Sequence, residues 1–310
     1  MILTVTLNPS VDISYKLEEF LIDDVNRCKD VVKTAGGKGL NVARVLKQLG
    51  EEVNTTGFLG GYTGEFIETE LKKLNIFTNF YEISGNTRNC IAVLHGGKQT
   101  EILEVGDIVK QKEQTEFLEL FNSLLKENLV VTISGSMPQG IEKDYYEKLL
   151  QIANDKDIKV ILDTSGDSLK NIVLNSNVKP YCIKPNETEI NQVENKDFED
   201  REELIEYLRS DIFKGIELMV ITMGSRGALV KFKDDFYSVN IPKIKVVNPV
   251  GSGDSTVAGI AYGINKKLNI EETIKYGMAC GILNTMEEKT GYIDVSKIKD
   301  IKDKVEVVKL

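Results

Sequence analysis

The sequence predicts an α/β fold built on a mostly parallel sheet. From residue 114 onward, helical segments alternate with short apolar strands, which is the pattern of β-α-β units. The strand interiors VVTIS, KVILD and LMVIT are nearly continuous apolar runs, as expected when helices cover both faces of a sheet. Polar or small residues recur where these strands end, and ligands of open α/β sheets bind at that edge.

The first third of the chain carries shorter elements and more strands. The predicted strands are 2–7, 11–17, 29–33, 53–59 and 76–83, the predicted helices are 40–49 and 64–74, and a hairpin pairs 89–94 with 99–105. The hairpin turns through His95, Gly96 and Gly97. Because the strands within 11–35 and 87–105 do not alternate with helices, we expect them to form a small separate sheet. Such a sheet buries little by itself, so it should serve as a lid or as a dimer contact.

The rest of the chain predicts the regular part of the fold. The predicted helices are 114–127, 142–154, 166–174, 201–212 and 271–287, the predicted strands are 129–134, 158–163, 180–184 and 217–222, and a second hairpin pairs 228–233 with 236–239. A further apolar helix begins at Asp254, and Gly291 begins a short tail. No repeat or long linker divides the chain, so residues 1–310 are predicted as one domain, with lid strands from about 11–35 and 87–105.

Composition excludes several classes of function. With 310 residues and 41% apolar content the chain can bury a sizeable core, and its net charge of −9 argues against nucleic-acid binding. No apolar run approaches the ~20 residues of a membrane span, and the start MILTVTLNP lacks a signal-peptide pattern, so we expect no membrane contact and a cytoplasmic location. The cysteines are scattered without a C-x-x-C pair, as expected of reduced thiols, and the single histidine, His95, leaves little scope for histidine chemistry.

The stretch NPVGSGDSTVAGI, residues 248–260, is the strongest candidate for a site. Gly251, Ser252 and Gly253 form a tight turn whose backbone can approach a ligand. The helix start that follows exposes unpaired N–H groups and the positive end of the helix dipole, which together bind anions such as a phosphoryl group. Asp254 beside them could take a proton from an attacking hydroxyl. The alternative is structural, because aspartate is a frequent N-cap and glycine turns precede many helices.

AGGKGLN, residues 35–41, is a second glycine turn before a helix. It is not a Walker loop, because G-K is followed by Gly39 rather than by Ser or Thr. Lys38 and Asn41 project from its mouth and could contact hydroxyls or phosphate, although an ordinary helix start also explains them. Asp12 follows the turn after the first strand, where its carboxylate could accept hydrogen bonds from ligand hydroxyls or simply face solvent.

Two more strand ends carry polar clusters. In KPNETE, Asn186 and Glu189 stand one helix turn apart, and with Lys184 they suit phosphates and a hydrated Mg²⁺, although a capping box explains the same spacing. In TMGSRG, residues 222–227, Gly224 and Gly227 form a turn where backbone could approach a base or a triphosphate, or a plain hairpin turn. Together these groups point to phosphoryl transfer, which needs positioning and charge neutralisation more than covalent chemistry.

AGGKGLN and NPVGSGDSTVAG in this order resemble the two signature regions of the ribokinase-like sugar kinases, the phosphofructokinase B family, and the likeness spans essentially the whole chain. The resemblance implies a three-layer α/β/α domain with a β-sheet lid, in which a sugar hydroxyl is phosphorylated with ATP and Mg²⁺. It implies Asp254 as the catalytic base, the N–H groups of Gly251, Ser252 and Gly253 as the anion hole, and Glu189 as acting on magnesium through water. The sugar side would comprise Asp12, Gly36, Gly37 and Asn41, and the ATP side Lys184, Asn186, Glu189, Thr222, Gly224, Gly227 and Asn284.

The cations of the sugar side suggest that the sugar is already phosphorylated. Arg27, Lys38 and Arg88 lie in lid-associated segments, and a neutral sugar needs no such cations. This matches the branch of the family that acts on phosphorylated ketohexoses, in which Ser136 and Asp163 would also approach the sugar. We therefore expect a sugar phosphate and ATP as ligands, and a homodimer formed through the exposed edges of the lid. A sensor that binds these ligands without turnover is the alternative class, and Asp254 argues against it because binding alone needs no base.

Overall fold

The computed structural model describes residues 1–126, 130–198 and 200–310. The strands are β1 (Ile2–Thr6), β2 (Ser10–Leu17), β3 (Asp30–Gly36), β4 (Val53–Leu59), β5 (Phe77–Thr78), β6 (Tyr81–Glu82), β7 (Arg88–His95), β8 (Lys98–Leu103), β9 (Val130–Ser134), β10 (Lys159–Asp163), β11 (Cys182–Ile183), β12 (Leu218–Thr222), β13 (Ala228–Phe232), β14 (Asp235–Asn240) and β15 (Glu306–Lys309). The helices are α1 (Lys38–Gln48), α2 (Gly61–Lys73), α3 (Gln111–Leu124), α4 (Tyr145–Asn154), α5 (Gly166–Leu174), α6 (Glu187–Glu194), α7 (Arg201–Leu208), α8 (Ser252–Asn265), α9 (Ile270–Thr285) and α10 (Ile298–Lys302).

The predicted mostly parallel sheet is confirmed. Within the described residues it has eleven strands in the order β15-β14-β13-β12-β11-β10-β9-β1-β4-β5, with β6 also paired to β4. The strands from β5 to β12 run parallel, and Ile2 of β1 stands between Val53 and Val130. The pairs from β12 to β15 are antiparallel. The parallel strands therefore all present their carboxyl ends at one edge, where ligands of such sheets bind.

Helices cover both faces of this sheet and give it two apolar cores. Successive residues of a strand point to opposite faces, so Ile2 packs into one core while Leu3 and Val5 pack into the other. The first core contains residues of α1, α2, α8 and α9, and the second contains residues of α3 to α7. The result is the expected three-layer arrangement. Among the helices described, none combines the length and the apolar character that crossing a bilayer requires.

A small separate sheet is also present, in the order β3-β2-β7-β8. The strand β2 is antiparallel to β3 and parallel to β7, and β7 turns into β8 through Gly96 and Gly97, both with positive φ. The whole of β8 and most of β3 are exposed. Apart from Val93, the buried residues of the small sheet lie at the end near Ser10 and Gly36, so the small sheet meets the main body close to the carboxyl edge of β1.

Some element bounds differ from the prediction. The predicted strand 76–83 is interrupted into β5 and β6, because between them the carbonyl of Asn79 bonds to the Thr56 hydroxyl instead of a ladder partner. The predicted tail after Gly291 contains α10 and the edge strand β15, which are too short to give a periodic signal. The helix predicted at 201–212 ends at Leu208 and a separate 3₁₀ turn follows. The helix α6 begins within KPNETE and was indicated only by the capping-box alternative, without bounds. Residues 127 and 129, at the bounds of a predicted helix and a predicted strand, lie outside the described residues.

Candidate active site

Two neighbouring parallel strands end at a cluster of charged side chains. Asp163 is the last residue of β10, and Lys184 directly follows β11. The Lys184 ammonium lies 3.4 Å from one oxygen of the Asp163 carboxylate, and Lys38 Nζ, from the start of α1, lies 3.7 Å from the other. Asp163 is 2% exposed, and neither of its oxygens accepts a hydrogen bond from the described residues. A buried carboxylate with free lone pairs is a group that a bound ligand can satisfy.

The turn before α8 presents free amide groups. Gly251 is the N-cap, with φ +81°, and a Cβ there would lie 2.5 Å from Thr290 Cγ2, so only glycine fits. The amides of Gly251, Gly253 and Asp254 find no acceptor within residues 1–126, 130–198 and 200–310. Free donors at the positive end of a helix attract an anion. Lys184 faces the same turn, because a Cβ on Gly253 would lie 3.2 Å from Lys184 Nζ.

Two details of this turn differ from the prediction. The helix begins at Ser252 rather than at Asp254, because Gly251 already supplies the N-cap. Asp254 therefore lies within the first helical turn, and the N-cap explanation of this residue is wrong. The amide of Ser252 donates to the carbonyl of Pro249 at 3.3 Å, whereas the amide of Asp254 is free.

Asp254 itself is a buried carboxylate. It is 6% exposed, and its Oδ2 accepts a hydrogen bond of 2.6 Å from Asn41 Nδ2. Burial raises the pKa of Asp254 to about 6, and the nearby Asp163 carboxylate adds to the rise, while the Asn41 hydrogen bond and the charges of Lys38 and Lys184 oppose it. A carboxylate whose pKa has risen toward neutrality is a better general base than one at its ordinary value.

Asp12 lies on β2, where the small sheet meets the main body. Its Oδ1 accepts a hydrogen bond of 2.6 Å from Ser10 Oγ, and burial raises its pKa. Gly36 is packed directly against it, since a Cβ at Gly36 would lie 2.1 Å from the Asp12 carboxylate. Gly37, the N-cap of α1, has φ +114°. The two glycines thus admit the carboxylate and start the helix that carries Lys38 and Asn41, and the reading of Asp12 as a solvated strand charge is wrong.

KPNETE and TMGSRG lie side by side. The amide of Thr222 donates to the carbonyl of Pro185 at 3.0 Å, and Asn186 forms a β-bridge with Thr222. Asn186 and Glu189 form a capping box, in which each side chain accepts a 2.8 Å hydrogen bond from the other's amide. Oε2 of Glu189 is therefore occupied by the amide at the start of its own helix, and Oε1 remains for a ligand. In the described part of the chain, no group of three or more His, Cys, Asp or Glu side chains could hold a metal directly.

The glycines of TMGSRG have different surroundings. Gly224 has φ +55° and its Cβ position is open, so a ligand can approach it. Gly227 has φ +85°, and a Cβ there would lie 1.9 Å from the carbonyl oxygen of Val239. Gly227 is therefore required for the packing of the β13–β14 hairpin.

Asn284 is enclosed by the protein. It is fully buried on α9, where Oδ1 accepts hydrogen bonds from Ser255 Oγ at 3.0 Å and from the amide of Gly291 at 2.9 Å. Its Nδ2 donates to the carbonyl of Val250 at 2.8 Å. Asn284 therefore ties the turn before α8 to the chain after α9, and its contact with the nucleotide stays a prediction.

Arg88 and Ser136 meet at the loop after β1. Arg88 Nη2 donates to the carbonyl of Asn8 at 3.1 Å and Nη1 to that of Glu104 at 3.1 Å, while Nε is buried with no partner in the described part of the chain. Asn8 Nδ2 also donates to Ser136 Oγ, at 3.4 Å. Nη1 and Nη2 each have a second N–H beyond these bonds, which leaves Arg88 able to hold an anion.

Arg27 is not brought to this place. It lies in the exposed loop between β2 and β3, next to Cys28, whose Sγ donates to the carbonyl of Lys16. Arg88 is paired with Ser10, six residues from Lys16 along β2, a separation of about 20 Å at the rise of a strand. Arg27 and Arg88 of one chain therefore cannot hold the same phosphate, contrary to the expectation.

Arg44 is a residue of this region that no motif identified. It follows Asn41 by one turn of α1 and donates to Asn41 Oδ1 and to the carbonyl of Ala35. The signal was weak, since a single basic residue in the middle of a helix usually lies on a solvated face. Its position three residues after a candidate site residue was the only hint.

The fold and the cluster of charged side chains at the strand ends are those of a carbohydrate kinase. The model of the pfkB family carbohydrate kinases matches residues 5–297, and the chain belongs to this family. The chain is 50% identical to a tagatose-6-phosphate kinase from Staphylococcus epidermidis over 311 aligned residues, which cover 100% of each protein.

Solved structures give the same result for the fold. A candidate phosphofructokinase from Staphylococcus aureus is 34% identical, with a TM-score of 0.87 over 100% of this chain and 99% of that one. Phosphofructokinase-2 from Escherichia coli in complex with potassium is 25% identical, with a TM-score of 0.89 over 97% of this chain and 98% of that one. The three-layer architecture is therefore common to this chain and to its relatives.

Proposed function

We propose that the protein transfers the terminal phosphoryl group of ATP to D-tagatose 6-phosphate, giving D-tagatose 1,6-bisphosphate, a step of lactose and galactose catabolism. The observation that carries the chemistry is Asp254, a buried carboxylate of raised pKa beside a turn of free amides. The choice of sugar rests on the 50% sequence identity to a tagatose-6-phosphate kinase, which extends over the full length of both proteins. It also rests on the segments LTVTLNPSVDISY, TRNCIAVLHGGKQTEILE and ILDTSG. The proposed location is the cytoplasm.

Asp254 acts as the general base. Asn41 occupies Oδ2 of its carboxylate, which leaves Oδ1 for the sugar hydroxyl. As the hydroxyl oxygen bonds to phosphorus, its proton passes to Asp254, and the raised pKa makes this transfer easier. The desolvated position also keeps bulk water away from the transferring group.

The free amides of Gly251, Gly253 and Asp254, at the turn that contains Ser252, meet the negative charge of the transferring phosphoryl group. Lys184 stands over the same turn, and its ammonium is held there by Asp163. Preorganised donors of this kind need no rearrangement during the reaction, which is why they are effective in catalysis.

The nucleotide side is the paired edge of KPNETE and TMGSRG. Lys184, Asn186, Thr222 and the open Gly224 bind ATP, whose phosphates they reach from the carboxyl edge of the sheet. Mg²⁺, when bound, neutralises phosphate charge, and the single free oxygen of Glu189 suits contact through a water rather than a closed protein cage. Gly227 and Asn284 support this side indirectly, through the hairpin and the turn before α8.

The sugar side is the junction of the small sheet with α1. Asp12 accepts hydrogen bonds from sugar hydroxyls, Asn41 donates to one through the second hydrogen of Nδ2, and Gly36 and Gly37 make room for them. Arg88 and Lys38 supply positive charge for the phosphate that the sugar already carries. Ser136 and Asp163 complete this side at the ends of β9 and β10.

The small sheet serves as a lid and pairs with the lid of a second copy. Its exposed strands carry apolar side chains, with Val32 and Ile102 each 56% exposed, and such strands invite pairing with another sheet. Within one chain Arg27 lies next to Cys28, which contacts Lys16, about 20 Å along β2 from Arg88, so a sugar phosphate that it binds must belong to another copy. We infer that Arg27 binds the sugar phosphate of the partner subunit.

A coupled assay of ADP formation tests the function, using tagatose 6-phosphate, fructose 1-phosphate and fructose 6-phosphate as acceptors. We expect the highest kcat/KM with tagatose 6-phosphate. The control is Asp254→Asn, which should lose the activity of this chain and so distinguish it from the activity of any contaminating kinase. The best rate with fructose 1-phosphate would instead identify a 1-phosphofructokinase. Binding of both ligands without ADP formation would identify a sensor.

A further inference from the structure

The side chain of Arg44 is a cation behind the proposed base. Arg44 lies on α1 and is partly buried, and it forms no ion pair with a carboxylate of the described residues. Its guanidinium donates instead to Asn41 Oδ1 and to the carbonyl of Ala35. The chain after α9 closes over it, since a Cβ at Gly291 would lie 3.2 Å from Arg44 Nε. The guanidinium is thus held by contacts within the protein.

The contact with Asn41 fixes the direction of an amide. An arginine can only donate, so the Asn41 atom that faces it must be the oxygen. The nitrogen of the same amide then points to Asp254 Oδ2, to which it donates at 2.6 Å. The three side chains thus form a relay of two hydrogen bonds, from Arg44 to Asn41 and from Asn41 to Asp254. When Asp254 takes up a proton, the hydrogen bond from Arg44 still holds the oxygen of this amide toward the guanidinium.

The charges around Asp254 show why this cation is distinct from the others. The carboxylates that face Asp254 or its relay are Asp163 from β10 and Asp12 from β2. The cations are Lys38 and Arg44 from α1 and Lys184 after β11. Both lysines pair with Asp163 on the ligand side of Asp254, whereas Arg44 contacts Asn41 on the other side. Bound phosphates therefore pair with the two lysines, whereas the charge of Arg44 continues to act on Asp12 and Asp254.

Arg44 also joins the lid strand to this relay. Ala35, whose carbonyl accepts from Arg44 Nη1, precedes Gly36, and Gly36 packs against the Asp12 carboxylate. One guanidinium thus contacts both the end of β3 and the amide that bonds to the base. The positions of the sugar-binding carboxylate and of the base are coupled through it.

We propose that Arg44 is a positioning residue for phosphoryl transfer, which holds the Asn41 amide toward Asp254 and fixes the end of the lid strand beside Asp12. This inference rests on the proposed kinase activity and extends it to a residue that touches neither substrate. Supporting groups of this kind typically change activity by roughly 10- to 100-fold when they are removed.

The test compares Arg44→Met and Arg44→Lys with Arg209→Met, a matched control on an exposed arginine far from the site. For each variant, kcat and both KM values are measured with tagatose 6-phosphate and ATP, together with the pH dependence of kcat and the melting temperature. We expect Arg44→Met to lower kcat by roughly 10- to 100-fold, to leave the KM for ATP within about threefold, and to move the acid limb of kcat to higher pH. The limb moves up because a positive charge that favours ionised Asp254 is lost.

Arg44→Lys keeps the charge but not the two-pronged contact. It should keep the acid limb near that of the wild type while kcat still falls, and this result separates charge from orientation. The inference is overturned when Arg44→Met retains kcat and the acid limb, or when both variants lose activity only in proportion to a lost melting transition. If Arg44→Met does not fold, an unchanged kcat in Arg44→Lys overturns the inference. A wild-type protein that is inactive on all three sugar phosphates overturns the proposed function itself, before any variant is made.

Discussion

Asn41 Nδ2 donates a 2.6 Å hydrogen bond to Asp254 Oδ2, across 213 residues of sequence. This contact joins the two glycine turns of the chain, because Asn41 lies in the first turn of α1 and Asp254 in the first turn of α8. It leaves one oxygen of the carboxylate free and holds the other. The sugar side and the phosphoryl side of the proposed site therefore share a single buried carboxylate.

The first prediction concerns the pH dependence of turnover. Asp254 must be ionised to accept a proton, and burial raises its pKa to about 6, so kcat should rise with pH through an acid limb near that value. Asp163→Asn should move this limb to lower pH, because it removes a like charge that raises the pKa of Asp254. Steady-state kcat measured from about pH 5 to about pH 8 with saturating substrates checks both statements. A limb that stays in place in Asp163→Asn would contradict the electrostatic account.

The second prediction concerns stability. The folded-state pKa of Asp254 lies above its model value of 3.8, so the fold binds this proton more tightly than the unfolded chain does, and ionised Asp254 costs stability above about pH 6. Asp254→Asn should therefore raise the free energy of unfolding near neutral pH, by on the order of 1–3 kcal/mol. The gain should shrink as pH falls below the folded-state pKa. Urea unfolding of both proteins at about pH 8 and about pH 5 measures it, and an equal or larger gain at the lower pH would refute the assignment.

The third prediction concerns the close approach of Gly36 to Asp12. Gly36→Ala places a methyl group 2.1 Å from the carboxylate position, so Asp12 must move. We expect the KM for the sugar phosphate to rise by ~10-fold or more, with the KM for ATP little changed. Gly97→Ala is the control, since its Cβ position is open; its positive φ adds a backbone strain that Gly36 does not have. Equal effects of Gly36→Ala on both substrates would show that Asp12 does not serve the sugar.

The fourth prediction concerns the lid. Ile102→Lys introduces a charge on an exposed apolar strand position and should give a monomer in light scattering. If Arg27 serves the partner's site, Ile102→Lys and Arg27→Ala should raise the KM for the sugar phosphate alike, and the double variant should add nothing further. Arg88→Ala should raise the KM for the sugar phosphate in the monomer as well, because Arg88, unlike Arg27, serves the site of the chain that carries it. A wild-type protein that is already monomeric at assay concentration would exclude the dimer.

Much of the fold could be predicted from the sequence because its signals are local. Apolar runs such as that of β10 indicate buried parallel strands, and the polar residue at their end, Asp163, marks the edge where ligands bind. The register of the small sheet and the edge strand β15 could not be predicted, since a short exposed strand carries no strong periodicity.

The site was predicted less completely, because a sequence does not reveal which polar groups are already satisfied. Asn284 and Gly227 stand in motifs that suggested ligand contact, yet their surroundings are filled by the protein itself. Arg44 is the opposite case, a residue that contacts the site although no motif pointed to it, since a lone arginine within a helix gave no reason to expect a contact with Asn41. Such assignments depend on distances between segments far apart in the chain.

The most direct test of the central claim is a comparison of turnover and binding in Asp254→Asn with tagatose 6-phosphate and ATP. The account predicts that kcat falls by ~100-fold or more, the scale of lost general-base catalysis, while calorimetry finds both ligands bound about as tightly as by the wild type. Asp167→Asn, on the first turn of α5, serves as the control for a lost carboxylate elsewhere. A kcat within a few-fold of the wild type would contradict the role of Asp254, and with it the proposed mechanism.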